Sequence, residues 1–247
     1  MTRIIASPGV ADSHPLMKKA LKKKVDIVSD IELFARDAER PFVAVTGSNG
    51  KSTVTTLLYH MCRAAGKNVL AGGNLGEPAL DLLEEDAPDL YVLELSSFQL
   101  HRTLDLPAEV AVLLNVSIDH LDWHASEAEY RESKYRVFDQ AAAAVVNRAD
   151  EAAAKRAERC GRVVTFGLDA PDADQFGIRE DEGEKYLACG DALLLSVRDL
   201  ALYGIHNQMN ALAALAAANG RVREALAALG VSRDDHGPTT DEVPMEG

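Results

Sequence analysis

Cysteine is scarce in this 247-residue chain: there are three, Cys62, Cys160 and Cys189. An odd, scattered set of thiols with no ligand spacing excludes a disulfide framework or a cysteine metal site, and it points to a reducing compartment. Long apolar runs are missing too, so no segment is suited to spanning a bilayer, and no secretory leader pattern opens the chain. Basic residues are outnumbered, with 26 Lys+Arg against 39 Asp+Glu and a formal charge of −13. That balance argues against a general nucleic-acid or anionic-membrane surface. It does not argue against a phosphate ligand, which needs only a local field. The expectation is a cytoplasmic protein acting as a monomer, with neither nucleic acid nor membrane as partner. Hydrophobic residues make up 47% of the chain, enough to core one large domain or two small ones.

The most informative segment is Thr46-Gly47-Ser48-Asn49-Gly50-Lys51-Ser52-Thr53. It follows an apolar run, Phe42 to Val45, and precedes a helical pattern from Val54. Strand, glycine turn and helix together form a phosphate-binding loop, in which backbone N–H groups and the helix N-terminus point at one anion. Lys51 supplies a charge for the outer phosphates, and the hydroxyl of Ser52 or Thr53 can ligate Mg²⁺. A glycine is lacking where the common pattern has its first one, since Val45 stands there. The loop is therefore a short variant.

Arg3 to Ser7 reads as a strand, Pro8-Gly9 as a turn, His14 to Lys24 as a helix and Val25 to Val28 as a second strand. So little material suggests the end of an α/β unit. From Pro41 the alternation becomes regular. Strands are expected at 42–46, 68–71, 90–95, 110–116, 144–146 and 163–166, with helices at 52–65, 78–84 and 126–140, the last opened by a capping box of Ser126 and Glu129. The runs at 90–95 and 110–116 lack polar alternation, as parallel strands covered on both faces do. Residues 168–205 hold short segments around Gly177, Tyr186, Leu194 and Leu202 and read as a small antiparallel patch. An alanine-rich helix spans His206 to Asn219, a further one is expected at Arg221 to Leu229, and the polar end of the chain is expected to be disordered. The fold class is thus α/β, a mostly parallel P-loop-type sheet with flanking helices and a small antiparallel β patch.

Ligands of a parallel sheet gather at the carboxyl ends of its strands. Glu94 lies near the end of one such strand. Burying that carboxylate is costly unless it is paired or metal-bound, the alternative being a glutamate on a wet edge. Asn115, Asp119 and His120 follow the next strand, where an imidazole can ligate a metal and Asp119 can orient it. Asp122 and His124 match no geometric need and read as surface residues. Lys134 shares a helix face with Tyr130, Val137 and Phe138 by three-and-four spacing. Two readings stand: a lysine that snorkels past the core edge, or one aimed at an interior site. In the second, a neutral amine can capture CO₂ and become a carbamate, an anionic metal ligand.

These motifs resemble the Mur ligase family, ATP-dependent amide-forming enzymes of peptidoglycan precursor synthesis. Thr46 to Thr53 is similar to that family's short phosphate loop, and Gly72-Gly73-Asn74-Leu75-Gly76 to its substrate-side turn. Leu93 to Leu100, Asn115 to His120 and Tyr130 to Lys134 resemble the D-glutamate-adding branch, and His206 to Ala211 the helix near the adenine. The Ser96-Ser97-Phe98-Gln99 run sets the chain apart from a sister amide ligase of the folylpolyglutamate type. The resemblance implies that Gly47, Ser48, Asn49, Gly50, Lys51, Ser52 and Thr53 bind ATP, with Asn207 and Asn210 near the base. It implies two Mg²⁺ ions, one held by Ser52 and Glu94 and the other by His120 and a carbamate on Lys134. Ser7, Pro8 and Gly9 would touch a UDP-sugar diphosphate, and Asn74, Ser96 and His120 would line the path of UDP-N-acetylmuramoyl-L-alanine, D-glutamate being the second substrate. The chemistry implied passes through an acyl phosphate.

The likeness covers about Arg3 to Leu229. On it, residues 1–40 are a remnant of an N-terminal UDP-binding domain, 41–230 the central ATP-binding domain and 231–247 a disordered tail, with a C-terminal ligase domain absent. A truncated ligase of this kind is expected to be inactive alone. The other class of function open to it is a non-catalytic ATP-binding module that works with a partner.

Overall fold

In a computed structural model, residues 3–74, 76–117 and 123–219 are described below. The chain opens with β1 (Arg3–Ile5), α1 (Pro15–Lys22), β2 (Asp26–Val28) and α2 (Asp30–Asp37), and β1 pairs parallel with β2 as a separate two-stranded sheet. The main body runs β3 (Phe42–Thr46), α3 (Lys51–Ala64), β4 (Val69–Gly73), β5 (Leu90–Glu94), α4 (Ser97–His101), β6 (Val110–Leu113) and α5 (Glu127–Tyr135). It continues with β7 (Ala143–Asn147), α6 (Glu151–Ala157), β8 (Arg162–Phe166), β9 (Phe176–Asp181), β10 (Glu184–Cys189), β11 (Ala192–Ser196) and α7 (Ile205–Asn219).

One nine-stranded sheet results, in the order β11-β10-β9-β8-β7-β6-β3-β5-β4. Strands β4 to β8 and β3 run parallel, while β10 is antiparallel to both β9 and β11. The antiparallel patch is therefore continuous with the parallel sheet, joined through the pairing of Phe166 with Phe176. The chain steps from β3 out to β4, back to β5, and then across to β6 on the other side of β3. This reversal makes β3 the switch point, and the loop after it opens into the crevice where such sheets bind ligands.

Both faces of the sheet are covered, which explains the unbroken apolar strands. Val43, Val45, Val92 and Val112 face α3 and α7. Phe42, Ala44, Tyr91, Leu93 and Ala111 face the opposite layer of α2, α4 and α6. Five of the six alanines of α7 (Ala211, Ala213, Ala214, Ala216, Ala217) are buried, and their small side chains allow close approach to α3 and the sheet.

Several expectations need correcting. The helix expected at 78–84 is only a 3-10 turn, Asp81–Leu83. The helix expected at 126–140 ends at Tyr135 and tightens into a 3-10 turn, Arg136–Phe138. Strand β6 stops at Leu113, and no strand forms around Leu202. The Ser126 hydroxyl does accept the Glu129 N–H (3.2 Å), but the Glu129 carboxylate caps the Ala125 N–H (2.6 Å) rather than completing a box. Helices α2, α4 and α6 were not foreseen. They are short, at eight, five and seven residues, and each is started by a capping side chain, from Ser29, Ser96 and Asp150. The expected helix after Arg221 and the terminal tail lie outside the described residues.

Helix α2 joins the opening segment to the main sheet. Ile31 and Phe34 are fully buried, with Phe34 edge-on to Phe42 and Tyr91 at 5.7 and 5.1 Å. Beside them, Glu32 is fully buried and accepts from Leu104 N (2.6 Å), Asp105 N (2.9 Å) and Arg36 Nη2 (2.6 Å). Burial alone would raise this carboxyl, but those donors outweigh it and hold the group below its ordinary value. A carboxyl depressed in the folded state contributes stability that is complete above the unfolded pKa and lost as pH falls through the folded one. Glu32→Gln is therefore expected to cost about 1.5–3 kcal/mol near pH 7 in urea denaturation, with the gap to wild type closing in acid. Equal stability at neutral pH would contradict this.

Candidate functional site

The phosphate-type loop is built by what it touches. Its first glycine, Gly47, lies so close to the end of β6 that an added Cβ would sit 3.0 Å from Leu114 Cβ. The Ser48 N–H donates to Asn115 O (2.9 Å). The side chain of Asn115 grips both sides of the next residue, accepting from Asn49 N (2.9 Å) and donating to Asn49 O (3.0 Å). Gly50 caps α3 with φ +86°, and a Cβ there would collide with the Asn210 side chain of α7. The loop is thus fixed from one side by β6 and from the other by α7. Lys51 folds back so that Nζ donates to Ser48 O (3.1 Å).

In the first turn of α3, Ser52 Oγ donates to Glu94 Oε2 (2.7 Å), while Asn74 Nδ2 donates to Glu94 Oε1 (2.7 Å). Glu94 ends β5 between β3 and β4, so it is not on an edge, and it is 2% exposed. Both donors are neutral. The carboxylate is held and oriented, and together with the Ser52 hydroxyl it offers hard oxygen ligands of the kind that suit Mg²⁺. Among the described residues no three His, Cys, Asp or Glu side chains cluster as a metal cage. Mg²⁺ does not need one, since it is usually held by one or two carboxylates together with waters and phosphate oxygens.

Lys134 is 2% exposed, which excludes snorkelling. Its Nζ donates to Gly47 O (2.8 Å), at the base of the loop, and lies 5.0 Å from the Tyr130 ring centroid. The Tyr130 hydroxyl in turn pairs with Ser48 Oγ (2.7 Å), which also accepts the Ser117 N–H (3.0 Å). His120, with Asp119 and Asp122, lies outside the described residues. His124 is a correction: it is buried at 2% exposure, with Nε2 3.0 Å from Ser97 Oγ and its ring against Trp123 and Tyr130.

Asn207 and Asn210 sit on the first turns of α7, joined by a 3.1 Å hydrogen bond. They line a cavity of ≈ 700 Å³ together with Asn49, Gly50, Thr53, Asn115, Asn147, Phe166 and His206. Sequence reasoning missed Asn147 and Phe166, although both stand at carboxyl ends of parallel strands, as Glu94 does. Ser96 is occupied as the N-cap of α4, in a capping box with Gln99. Ser7, Pro8 and Gly9 form a turn after β1, closed by Val10 N donating to Ser7 O (3.1 Å).

Residues 45–218 match the Mur ligase middle domain. Over 213 residues the chain is 51% identical to a UDP-N-acetylmuramoylalanine--D-glutamate ligase of Pseudomonas fluorescens, covering 86% of this chain and 47% of that protein. It is 47% identical over 216 residues to the ligase of the same name from Methylobacillus flagellatus, covering 86% and 48%. The chain therefore spans about half the length of these relatives. Among solved structures, its fold is similar to a UDP-N-acetylmuramate:L-alanyl-gamma-D-glutamyl-meso-diaminopimelate ligase from Neisseria meningitides, with TM-score 0.62, 18% identity, and 96% and 80% of the two chains covered. It is also similar to a MurF ligase from Thermotoga maritima solved with ADP, with TM-score 0.59, 19% identity, and 88% and 62% covered.

The left-handed backbone at Gly50 and its contact with Asn210 set a sharp steric limit. Gly50→Ala is expected to cost about 1–2 kcal/mol from backbone conformation alone, read by urea denaturation. An unchanged midpoint would contradict the loop geometry.

Proposed function

This chain belongs to the Mur ligase family, and we propose that it carries the ATP-handling part of a ligase that joins D-glutamate to UDP-N-acetylmuramoyl-L-alanine. The observation that carries the reading is Glu94, a buried carboxylate placed by Ser52 and Asn74 at the sheet rim beside the loop. The names of the half-identical relatives support the choice of amino acid and acceptor. In this reading residues 41–230 form the ATP-binding unit and residues 1–40 belong to a UDP-binding one. The full reaction is proposed for the ligase as a whole; for these 247 residues taken alone, the proposal is confined to binding of Mg-ATP and of the UDP-sugar, without ligation.

The chemistry has one main difficulty, bringing an anionic carboxylate to an anionic phosphate. The carboxylate of UDP-N-acetylmuramoyl-L-alanine attacks the γ-phosphorus of ATP, the bond to the β-phosphate oxygen breaks, and ADP leaves. The amine of D-glutamate then attacks the acyl phosphate carbon, loses a proton, and expels inorganic phosphate. Lys51 and the loop from Gly47 to Thr53 hold the triphosphate in line and offset its charge. Asn207 and Asn210 present amides toward the cavity that would take the base. Bound Mg²⁺ would neutralise charge on the phosphates: Ser52 and Glu94 would hold one ion, and His120 with a carbamate on Lys134 a second. Lys134 reaches the loop through Gly47 O, so a group on that amine would lie at the base of the phosphate site. Asn74, Ser96 and His120 are proposed to line the path of the muramoyl-alanine arm, with Ser7, Pro8 and Gly9 at its diphosphate.

Calorimetric titration of the chain with Mg-ATP tests this directly. Lys51→Ala is expected to weaken binding at least tenfold, about 1.4 kcal/mol. Equal affinity in both proteins would remove the phosphate-loop assignment.

A further inference from the structure

Arg102 is a cation buried to 4% exposure at the C-terminal cap of α4, and nothing in the chemistry above uses it. Its guanidinium reaches across about ninety residues of sequence to the turn after β1. Nη2 donates to Val10 O (2.5 Å) and to Asp12 Oδ1 (2.7 Å), and Nη1 lies 3.5 Å from Ser7 O. The preceding residue, His101, completes the grip, with Nε2 3.1 Å from Asp12 Oδ2. The other face of the guanidinium lies 5.3 Å from the Trp123 ring centroid.

We infer that Arg102 is a positioning residue that fixes the Ser7–Asp12 turn relative to the Glu94 site. The inference rests on the reading that this turn meets the UDP-sugar diphosphate. Its mechanical basis is short. Glu94 ends β5, Ser96 caps α4, and Arg102 lies six residues past that cap, so the arginine stands roughly 9 Å along the helix axis from it. Arg102 is tied down at its own backbone as well, where its carbonyl accepts the Ser29 N–H (3.1 Å) at the start of α2. A planar fork with several fixed donors can hold two carbonyls and a carboxylate at once, which a lysine ammonium on a flexible stem cannot. Charge is retained on replacement by lysine, but the geometry is not. The diphosphate would then meet a turn whose carbonyls and N–H groups are no longer fixed with respect to the reacting end of the substrate.

The test uses the whole chain, with UDP-N-acetylmuramoyl-L-alanine and Mg-ATP titrated separately by calorimetry, and amide exchange of residues 7–12 followed by mass spectrometry. Arg102→Lys is expected to weaken the UDP-sugar at least tenfold, to leave Mg-ATP within twofold, and to speed exchange in the turn. Asp12→Asn, which removes the carboxylate from the wetter side, is expected to shift the same two readouts in the same direction by less. Unchanged UDP-sugar affinity in Arg102→Lys would overturn the inference, as would an equal loss for both ligands, the mark of a general folding role. A wild-type chain that binds Mg-ATP but no UDP-sugar would instead sink the substrate reading. Exchange in the turn then decides the positioning on its own, and unchanged exchange in Arg102→Lys rejects it.

Discussion

The carboxylate of Glu94 sits where a charge is expensive, at 2% exposure, and each of its oxygens takes one hydrogen bond from a neutral donor. Moving an ionised carboxylate out of water without compensation costs far more than a domain can spare. Bonds to a charged group return about 1.5–3 kcal/mol each, which offsets part of that cost. The same two bonds tie three elements together: helix α3 through Ser52, the turn after β4 through Asn74, and β5 through Glu94 itself. The phosphate-type loop and the turn after β4 are thus registered on one side chain.

The sheet makes this convergence possible. Parallel strands bring every carboxyl end to one rim, and the reversal at β3 opens a crevice there. Apolar cover on both faces keeps the strands rigid, and the alanines of α7 let that helix pack close enough for Asn210 to press on Gly50. The Asn115 side chain therefore holds the loop by hydrogen bonds to both sides of Asn49, while Asn210 fills the space that a side chain at position 50 would need. Lys134 and Tyr130 support it from below, through Gly47 O and Ser48 Oγ. The loop enters as a preorganised structure, which is what stabilisation of developing phosphate charge requires.

Much of this was legible in the sequence because the signals are local. Strand, glycine turn and helix around Lys51 follow from chain chemistry within a dozen residues. The apolar runs around Glu94 and Val110 announce buried parallel strands by lacking alternation. Lys134 betrays itself by standing on the apolar face of its helix. Other features depend on partners far apart in sequence. His124 reads as a loop histidine until Ser97 and Tyr130 close around it. Arg102 carries no local signal, since its acceptors lie about ninety residues earlier. Helices α2, α4 and α6 are short, and their existence depends on caps and on burial against a sheet that propensity does not describe. The antiparallel patch was visible as strands, but its fusion to the main sheet rests on the single pairing of Phe166 with Phe176.

The central claim is that the buried carboxylate and the loop serve one triphosphate. Anomalous diffraction from crystals grown with Mn²⁺ and a non-hydrolysable ATP analogue addresses it most directly. The account predicts a manganese peak in direct coordination with the Glu94 carboxylate, at about 2.1 Å as for a hard octahedral cation, with the phosphates over residues 47–53 and the base in the cavity beside Asn207. A nucleotide bound elsewhere, or a metal peak remote from Glu94, would contradict it.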